Sequence, residues 1–279
     1  MPDPLRLTEP EALAAWAARI RADHDQVARL REGPESNDFY APVAARFRAD
    51  PHRTDEPVLD ILRSLVRTGD TWLDIGAGGG RYALPLALLA EEVIAVEPSE
   101  GMAGVLREGM AENGIANIRH VASRWPGPVD LEVDCSLIAN VGNDIEDIGP
   151  FLDAMEAATR RLCLAIMPAT PPASFAYSFW PPVHGEERAA LPALPEFLAL
   201  LLARGKLFDV RLSSRPSMAY PDVEMALGFL RQQLFIQPGG AKDNVLQGLA
   251  AQSLSTYEGQ VALSPAPVTV AVVTWSPRQ

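Results

Sequence analysis

Residues 71–102 contain the feature that most constrains this chain, a glycine-rich turn between two predicted strands. The first strand, residues 71–75, leads into the hexapeptide GAGGGR at residues 76–81, and the second, residues 93–96, ends at the carboxylate of Glu97. Parallel strands need a crossover of a dozen or more residues, and residues 80–91 supply a helical one. Glycines permit a sharp turn and let a ligand approach the backbone closely. Because Glu97 follows the first glycine by about 20 residues, the pattern predicts a nucleoside-cofactor site with this acid at the ribose.

The spacing of the turn differs from a dinucleotide fingerprint. That fingerprint, G-x-G-x-x-G, requires a glycine at the sixth position, which is Arg81 when counted from Gly76 and Ala83 when counted from Gly78. An acid, Asp74, stands two residues before the first glycine, so the full pattern is D-x-G-x-G-x-G. A carboxylate there repels a pyrophosphate and favours a cationic ligand. An NAD(P)-dependent oxidoreductase nevertheless remains the main alternative.

With this motif the chain resembles the class I S-adenosylmethionine-dependent methyltransferases. The resemblance implies that Asp74 lies near the amino-acid end of the cofactor, that the loop glycines lie against the adenosyl group, and that Glu97 binds both ribose hydroxyls. It also implies an adenine-contacting loop at residues 123–125, where the acid common in the family is absent and Trp125 could stack on the base. The implied cofactor is S-adenosyl-L-methionine, with S-adenosyl-L-homocysteine as product. The predicted cofactor-binding residues are Asp74, Gly76, Ala77, Gly78, Glu97, Pro98, Met102, Ser123, Arg124, Trp125 and Asn140.

The order of predicted elements, together with this resemblance, gives the fold class. We expect an α/β fold with a doubly wound, mostly parallel seven-stranded sheet, helices on both faces and an antiparallel last strand. Residues 1–54 are predicted to form an N-terminal helical cap, with helices at 8–32 and 37–48, and residues 55–279 a Rossmann-like methyltransferase domain. Two segments are expected to form the acceptor pocket. Residues 168–191, rich in proline and aromatic residues, should be a structured loop, and residues 218–262 a helical insertion before the last strand.

The loop after the fourth strand, which begins at Asn140, is where the methyl group and its acceptor should meet, because ligands of this fold gather at the carboxyl ends of the strands. It lacks both the Asn/Asp-Pro-Pro-aromatic tetrad of the DNA amino-methyltransferases and the Pro-Cys nucleophile of the cytosine-C5 enzymes. We therefore expect methyl transfer to a small-molecule acceptor. No residue is singled out as catalytic; the candidates for a general base are His184, Tyr40 and Tyr177. A non-catalytic protein of the same fold that binds the adenosyl cofactor is a further alternative.

Composition sets the remaining expectations. A formal charge of −12 argues against nucleic acid as a partner, since binding phosphates requires basic surface. Cys135 and Cys163 lie in apolar runs and are predicted to be buried thiols of an intracellular protein. No apolar run approaches 18 residues and no signal segment is visible, so no membrane partner and a cytoplasmic location are expected. No metal site is expected, because no second His or Cys stands at ligand spacing from His184. The sequence does not indicate the oligomeric state.

Overall fold

The computed structural model describes residues 7–34, 38, 40–127, 131–171, 173–215, 219–257, 259–262 and 267–277. The α-helices are α1 (Glu9–Leu30), α2 (Pro57–Leu65), α3 (Ala83–Ala87), α4 (Glu100–Glu112), α5 (Ile148–Ala158), α6 (Trp180–His184), α7 (Leu194–Ala203), α8 (Val223–Leu234) and α9 (Ala241–Ser253). The strands are β1 (Thr71–Ile75), β2 (Glu92–Val96), β3 (Ile118–Val121), β4 (Val133–Ala139), β5 (Thr159–Pro168), β6 (Phe208–Arg215), β7 (Ala219–Tyr220), β8 (Ser255–Tyr257), β9 (Gln260–Ala262) and β10 (Val268–Trp275). Two 3₁₀ segments lie at Ala41–Phe47 and Ser174–Phe179.

The main sheet has the predicted architecture. Its seven strands lie in the order β3-β2-β1-β4-β5-β10-β6. The strands from β3 to β5 pair in parallel, whereas β10 pairs antiparallel with both β5 and β6. The order reverses direction between β1 and β4, and a ligand crevice forms at such a switch point, outside the carboxyl ends of these strands. The predicted fold class is therefore confirmed.

Helices cover both faces of this sheet and give it two apolar cores. One core joins Leu73 and Ile75 of β1 to Trp16 of α1, Phe151 of α5 and Phe197 of α7. The opposite core joins alternate strand residues to α2, α3 and α4, and it includes Trp72, Leu59, Leu84, Leu106 and Val272. Successive strand residues point to opposite faces, so a strand that is buried on both sides reads as a continuous apolar run.

Helix α1 begins as the sequence predicts. The Thr8 amide donates to the Glu11 carboxylate at 2.8 Å, which satisfies one of the amides that the first turn leaves unpaired. The helix packs across α5 and α7, and the indole N–H of Trp16 donates to the Ile145 carbonyl at 3.0 Å. The N-terminal segment is thereby attached to the loop that follows β4.

The second predicted helix, residues 37–48, is instead a shorter 3₁₀ segment at Ala41–Phe47. It packs against the start of α4 and the glycine-rich turn, where two glycines permit close contact. A Cβ on Gly101 would lie 2.9 Å from the Ala41 Cα, and one on Gly79 would lie 2.9 Å from the Phe47 carbonyl oxygen. The segment therefore lies beside the predicted cofactor loop.

The insertion between β6 and β10 is only partly helical. Besides α8 and α9 it contains a three-stranded antiparallel sheet in the order β7-β9-β8, which the prediction of a helical insertion missed. A third core joins this unit to the C-terminal half of α1 and to the segment after β5, through Val27, Trp180, Tyr220, Leu230 and Leu246. The insertion and residues 174–184 are thus packed as one body against α1.

The segment at 168–191 also differs from its prediction. It contains the 3₁₀ turn at Ser174–Phe179 and the short helix α6, where a loop without helix was expected. Pro181 stands in the first turn of α6, where its missing N–H has no partner to lose. Residues 1–6, 35–37 and 39 of the predicted cap, and residues 172, 218 and 258 of the predicted pocket segments, lie outside the described residues. The division into a cap and a Rossmann-like domain stays a prediction.

Candidate functional site

The glycine-rich turn leaves β1 at the switch point of the sheet and is tied to β2. The amides of Gly76 and Ala77 both donate to the Val96 carbonyl, at 2.8 and 3.1 Å. Gly76 and Gly78 have φ values of +71° and +56°, a region that residues with a Cβ rarely occupy. A Cβ on Gly76 would also lie 2.5 Å from Cγ2 of Val141. Glycine is thus required at position 76 by both backbone conformation and space.

The carboxylate of Glu97 joins this turn to the start of α4. Its Oε2 accepts from the Gly78 amide and its Oε1 from the Ser99 amide, both at 2.8 Å. The side chain is 7% exposed. A carboxylate has about four lone-pair sites, so each oxygen retains one for a hydroxyl donor. Glu97 is therefore oriented by the backbone and able to accept two further hydrogen bonds, as the predicted ribose contact requires.

Asp74 lies behind Glu97 and is almost fully buried, at 2% exposure. Burial, and secondly the negative charge of Glu97, raise the pKa of Asp74 to about 7, although the Ala83 backbone N–H that it accepts opposes the shift. Within the described part of the chain, no Lys, Arg or His forms an ion pair with either carboxylate. The site thus holds two close carboxylates without a cation, an arrangement that a positively charged ligand would stabilise.

Asp38 fixes the N-terminal segment over this site. Its carboxylate accepts from the Ser99 hydroxyl at 2.8 Å and from the amides of Tyr40 and Ala41 at 3.1 Å. The hydrogen bond from Ser99 lowers the pKa of Asp38. Ser99 in turn accepts from the Met102 amide at 3.2 Å as the N-cap of α4. The segment and the helix that follows Glu97 are therefore held together by one carboxylate, which the sequence analysis did not identify.

Tyr40, the predicted base of the cap, does lie at this site. Although 45% of the residue is exposed, burial of its phenol, then the charges of Asp144 and Glu97, raise the pKa of Tyr40 to about 12. Its ring packs edge-to-face on Phe47, with centroids 5.9 Å apart. A phenol with this pKa is protonated at neutral pH, so it can donate a hydrogen bond but is a poor base.

The loop after β4 presents one acid that the sequence analysis did not select. Asn140 is exposed with φ of +55°, and its amide donates to the Ile166 carbonyl at 3.0 Å. Asn143 is buried and donates through Nδ2 to the Pro192 carbonyl at 2.6 Å. Asp144 follows it and is exposed, and among the described residues it has no hydrogen bond or ion pair. Its charge nevertheless reaches Tyr40 on one side and Asp23 on the other.

A buried ion pair lies beyond Asp144. Asp23 of α1 pairs with Arg188, and both side chains are less than a tenth exposed. The Arg188 guanidinium lies 4.2 Å from the ring centroid of Trp180 and donates to Gln26 at 3.0 Å. Burial raises the pKa of Asp23 although the positive charge of Arg188 opposes it. This pair attaches residues 186–189 to α1.

Tyr177, the second candidate base, is half-buried near Arg188 and Asp23. Burial raises the pKa of its phenol, and the charges of Arg188 and Asp23 both act on it. The Leu191 backbone N–H donates to the phenol oxygen. The structure thus brings Tyr177 near the buried pair, and its role as a base stays a prediction.

His184, the third predicted base, has contacts typical of a core residue. Its Nε2 lies 2.9 Å from the Leu234 carbonyl, and its ring packs on Trp180 with centroids 4.3 Å apart. Burial lowers the pKa of His184. These contacts are with α8 of the insertion and with Trp180 of the same helix, and not with the glycine-rich turn, so the structure does not bring His184 together with Asp74 and Glu97.

The predicted adenine loop follows β3, beside the end of β2. The Ser123 amide donates to the Val121 carbonyl at 3.0 Å, and Arg124 is exposed. Trp125 is half-buried and donates through its indole N–H to the Phe151 carbonyl of α5 at 3.2 Å. That bond fixes the ring against α5, and its stacking on a base stays a prediction.

Two further predicted cofactor residues lie after β2. Pro98 is exposed next to Glu97, while Met102 is buried with its Cε 3.3 Å from where a Cβ on Gly78 would lie.

The two cysteines lie inside the main sheet. Cys135 and Cys163 are fully buried thiols in β4 and β5, as predicted. Over the residues that the structure describes, no group of three or more His, Cys, Asp or Glu side chains is placed to hold a metal ion. Nor does any helix in that part have both the length and the apolar character to cross a membrane.

Several solved structures share the fold of this chain, and they include two named methyltransferases. The YcgJ protein from Bacillus subtilis is 16% identical, with a TM-score of 0.54, and the match covers 78% of this chain and 97% of that one. Magnesium protoporphyrin IX methyltransferase from Synechocystis, solved with S-adenosylhomocysteine, is 11% identical at a TM-score of 0.50, over 95% of this chain and 99% of that one. Coclaurine N-methyltransferase, bound to N-methylheliamine and S-adenosylhomocysteine, is 11% identical at 0.51, over 96% and 93%. The chain has the class I methyltransferase fold, and the predicted resemblance is confirmed.

Curated relatives match a shorter stretch. Two 23S rRNA (uracil(1939)-C(5))-methyltransferases named RlmD, from Marinomonas sp. and Marinomonas posidonica, are 38% and 43% identical over 82 residues. The match spans 29% of this chain but only 19% of each relative. No family model matches the chain.

These relatives overturn one prediction. The expectation that nucleic acid is excluded as a partner was wrong, because the named relatives act on ribosomal RNA. The expectation rested on the net charge of −12, which sums the whole surface. A total charge does not describe the local surface at which a partner binds, so it cannot exclude that partner.

Proposed function

We propose that this protein transfers a methyl group from S-adenosylmethionine to an acceptor bound beside the loop after β4. One observation carries the proposal. Glu97 is held by the Gly78 and Ser99 amides at 2.8 Å, at the end of β2, with Asp74 buried behind it and no paired cation among the described residues. When bound, the cofactor would supply a methyl group that is already activated by its sulfonium.

The described residues fit this cofactor. Glu97 has a lone pair left on each oxygen for the two ribose hydroxyls. Gly78, whose positive φ favours glycine, puts no side chain between the backbone of the turn and a ligand. Asp74 places a carboxylate next to Glu97, so the pair favours a ligand with positive charge. Asp38 and Ser99 hold the cap segment beside the turn and would help to exclude water from it.

The same geometry disfavours a nicotinamide dinucleotide. Its pyrophosphate would lie against the glycine-rich turn, where the carboxylate of Asp74 would repel it. Arg81, the basic residue at the sixth position of the turn, does not offset this charge, because its guanidinium pairs with Glu56 at 2.8 Å. The charge at this turn therefore favours the adenosyl cofactor over the NAD(P) alternative.

We propose a small-molecule acceptor, bound between Tyr40, Asp144 and Tyr177. Two hydrogen bonds hold the loop on either side of Asp144. The Asn143 side chain donates to the Pro192 carbonyl, and the Trp16 indole donates to the Ile145 carbonyl. The Asp144 carboxylate is without a hydrogen-bond partner in the described structure. If the acceptor atom is a nitrogen or oxygen that carries a proton, Asp144 would accept that proton during methyl transfer.

A nucleobase of RNA is the second candidate acceptor. It is favoured by the match with the two 23S rRNA methyltransferases over 82 residues. The third possibility is a non-catalytic protein that binds the adenosyl cofactor. Methyl transfer to any acceptor would exclude it.

Transfer of a labelled methyl group tests these readings in one assay. Purified protein and labelled S-adenosylmethionine are incubated with a panel of amines and phenols in one set of reactions, and with bacterial 23S rRNA in another. Label in a small molecule supports the first acceptor class, and label in RNA supports the second. Cofactor binding without label in any acceptor favours the non-catalytic reading.

The variant Asp144→Asn then tests the acceptor site. We expect its kcat to fall at least about tenfold on a proton-bearing acceptor, with unchanged affinity for S-adenosylhomocysteine. Glu146→Gln is the matched control, because Glu146 lies on the same loop but pairs with Arg21 on the surface. Equal losses in the two variants would contradict a specific role for Asp144.

A further inference from the structure

The strand β6 forms one edge of the main sheet and carries exposed apolar side chains. It pairs with β10 on one side and with no other described strand. Val210 is 38% exposed and Leu212 is 67% exposed. Two nearby leucines, Leu202 near the end of α7 and Leu207 just before β6, are 62% and 73% exposed. Natural proteins usually protect such edges with lysine, proline or a bulge, and β6 has none of these. Its backbone and apolar side chains therefore favour pairing with another strand.

The register with β10 shows which face each residue occupies. Phe208, Val210 and Leu212 pair with Trp275, Val273 and Ala271, which belong to the core under α7. Residues 209 and 211 point to the opposite face, which is the face of α2. One face of β6 is thus apolar, while the other carries Asp209 and Arg211.

Asp209 and Arg211 are both exposed, and neither forms an ion pair within the described chain. Their spacing of two residues puts opposite charges on one face of an edge strand. Opposite charges directly across an antiparallel pair are stabilising, and like charges are destabilising.

Two-fold pairing of β6 with a second copy admits few registers. A two-fold axis perpendicular to the sheet keeps each residue on its own face of the joined sheet. Directly opposed residues must share a face, so one residue of β6 must lie opposite its own copy, and the axis lies between the two. With the axis at Val210, Asp209 lies opposite Arg211 of the second copy, twice, and Phe208 lies opposite Leu212. With the axis at Arg211, that guanidinium lies opposite itself. With the axis at Leu212, Asp209 lies opposite Arg215, but Val210 lies opposite Ser214 and Arg211 opposite Ser213, so neither has a matching partner. Charge and apolar pattern agree only at Val210.

We propose that two copies of this chain pair antiparallel through β6, with the two-fold axis at Val210. The pairing would join the two main sheets, each of seven strands, into one continuous sheet. The contact is narrow, so the dimer should be weak and should dissociate on dilution. This inference does not depend on the proposed methyl transfer.

Sedimentation velocity tests the pairing, over protein concentrations from about 1 μM to about 1 mM. The wild-type chain should shift from monomer to dimer within this range. Asp209→Arg and Arg211→Asp should each weaken the dimer at least about tenfold, because each puts like charges opposite one another twice. The double variant carrying both changes restores opposite charges and should dimerise as the wild type does.

Mixing the two single variants gives the sharpest result. One variant has arginine at both positions and the other has aspartate at both, so the mixture should form a heterodimer although neither variant pairs with itself. Arg119→Asp, on the opposite edge strand β3, is the matched control and should leave the wild-type dimer intact. Far-UV circular dichroism verifies that each variant is folded.

Two results would overturn the proposal. One is a wild-type chain that stays monomeric over the whole concentration range. The other is a dimer whose dissociation constant is the same in both single charge variants as in the wild type, since that dimer would use another surface.

Discussion

Replacing Asp74 with asparagine should make the protein more stable and less able to bind its cofactor. The substitution conserves size, and the asparagine oxygen can still accept the Ala83 backbone N–H. It removes a carboxylate that is 2% exposed and lies beside Glu97. The charge at this position thus opposes folding, and we infer that it is retained for binding.

The size and pH dependence of this effect follow from the pKa. The pKa of Asp74 is raised from 3.8 to about 7, so the native state binds the proton more tightly than the unfolded chain does. The free energy of unfolding therefore falls as pH rises from about 4 to about 7, and the full cost is present above pH 7. A shift of about three pH units corresponds to at most about 4 kcal/mol. We expect Asp74→Asn to stabilise the protein by about 2–4 kcal/mol at pH 8 and by almost nothing near pH 4.

Urea unfolding followed by far-UV circular dichroism, at several values between pH 4 and pH 8, measures this difference. Asp134→Asn is a control of opposite sign, because hydrogen bonds from Thr71 lower the pKa of Asp134. Its ionised form stabilises the fold, so the variant should lose stability at pH 8 and regain wild-type behaviour in acid. If Asp74→Asn were no more stable than the wild type at pH 8, or more stable by the same amount at every pH, the electrostatic account of this site would be refuted.

Three further variants test the site and its support. Gly78→Val should weaken S-adenosylhomocysteine binding at least tenfold (about 1.4 kcal/mol) by calorimetry, because φ at this position is +56° and Met102 lies 3.3 Å from the new Cβ. Glu97→Ala should weaken the same binding at least about tenfold, without loss of fold by circular dichroism, since it removes the ribose acceptor. Arg188→Met should lower the free energy of urea unfolding by about 3 kcal/mol, because it leaves the carboxylate of Asp23 buried without its partner; an unchanged unfolding midpoint would show that this pair does not support the pocket wall.

The sequence predicted the parts of the site that depend on local backbone geometry. The turn at residues 76–80 needs positive φ, which only glycine adopts readily, and Glu97 follows at the length of one crossover. The alternation of helices and strands then indicates a mostly parallel α/β sheet, and the antiparallel last strand was implied by the family resemblance. These features are local or repetitive, so they leave a visible pattern in the chain.

The features that the sequence did not predict depend on contacts between distant segments. The hydrogen bond between Ser99 and Asp38 joins residues 61 positions apart in the sequence, and no spacing rule predicts it. Asp144 stands in an ordinary polar turn that has no distinctive sequence pattern, and its significance comes from its electrostatic interactions with Tyr40 and Asp23. The strands β7, β8 and β9 have two or three residues each, which is too short for an alternating pattern to be read.

The central claim is that the site at Asp74 and Glu97 binds S-adenosylmethionine and not a nicotinamide dinucleotide. Calorimetric titration of the purified protein with S-adenosylhomocysteine, and in parallel with NAD and NADP, tests it most directly. We predict saturable binding of S-adenosylhomocysteine at one site per chain and no binding of NAD or NADP. Binding of a nicotinamide cofactor without binding of S-adenosylhomocysteine would contradict the account.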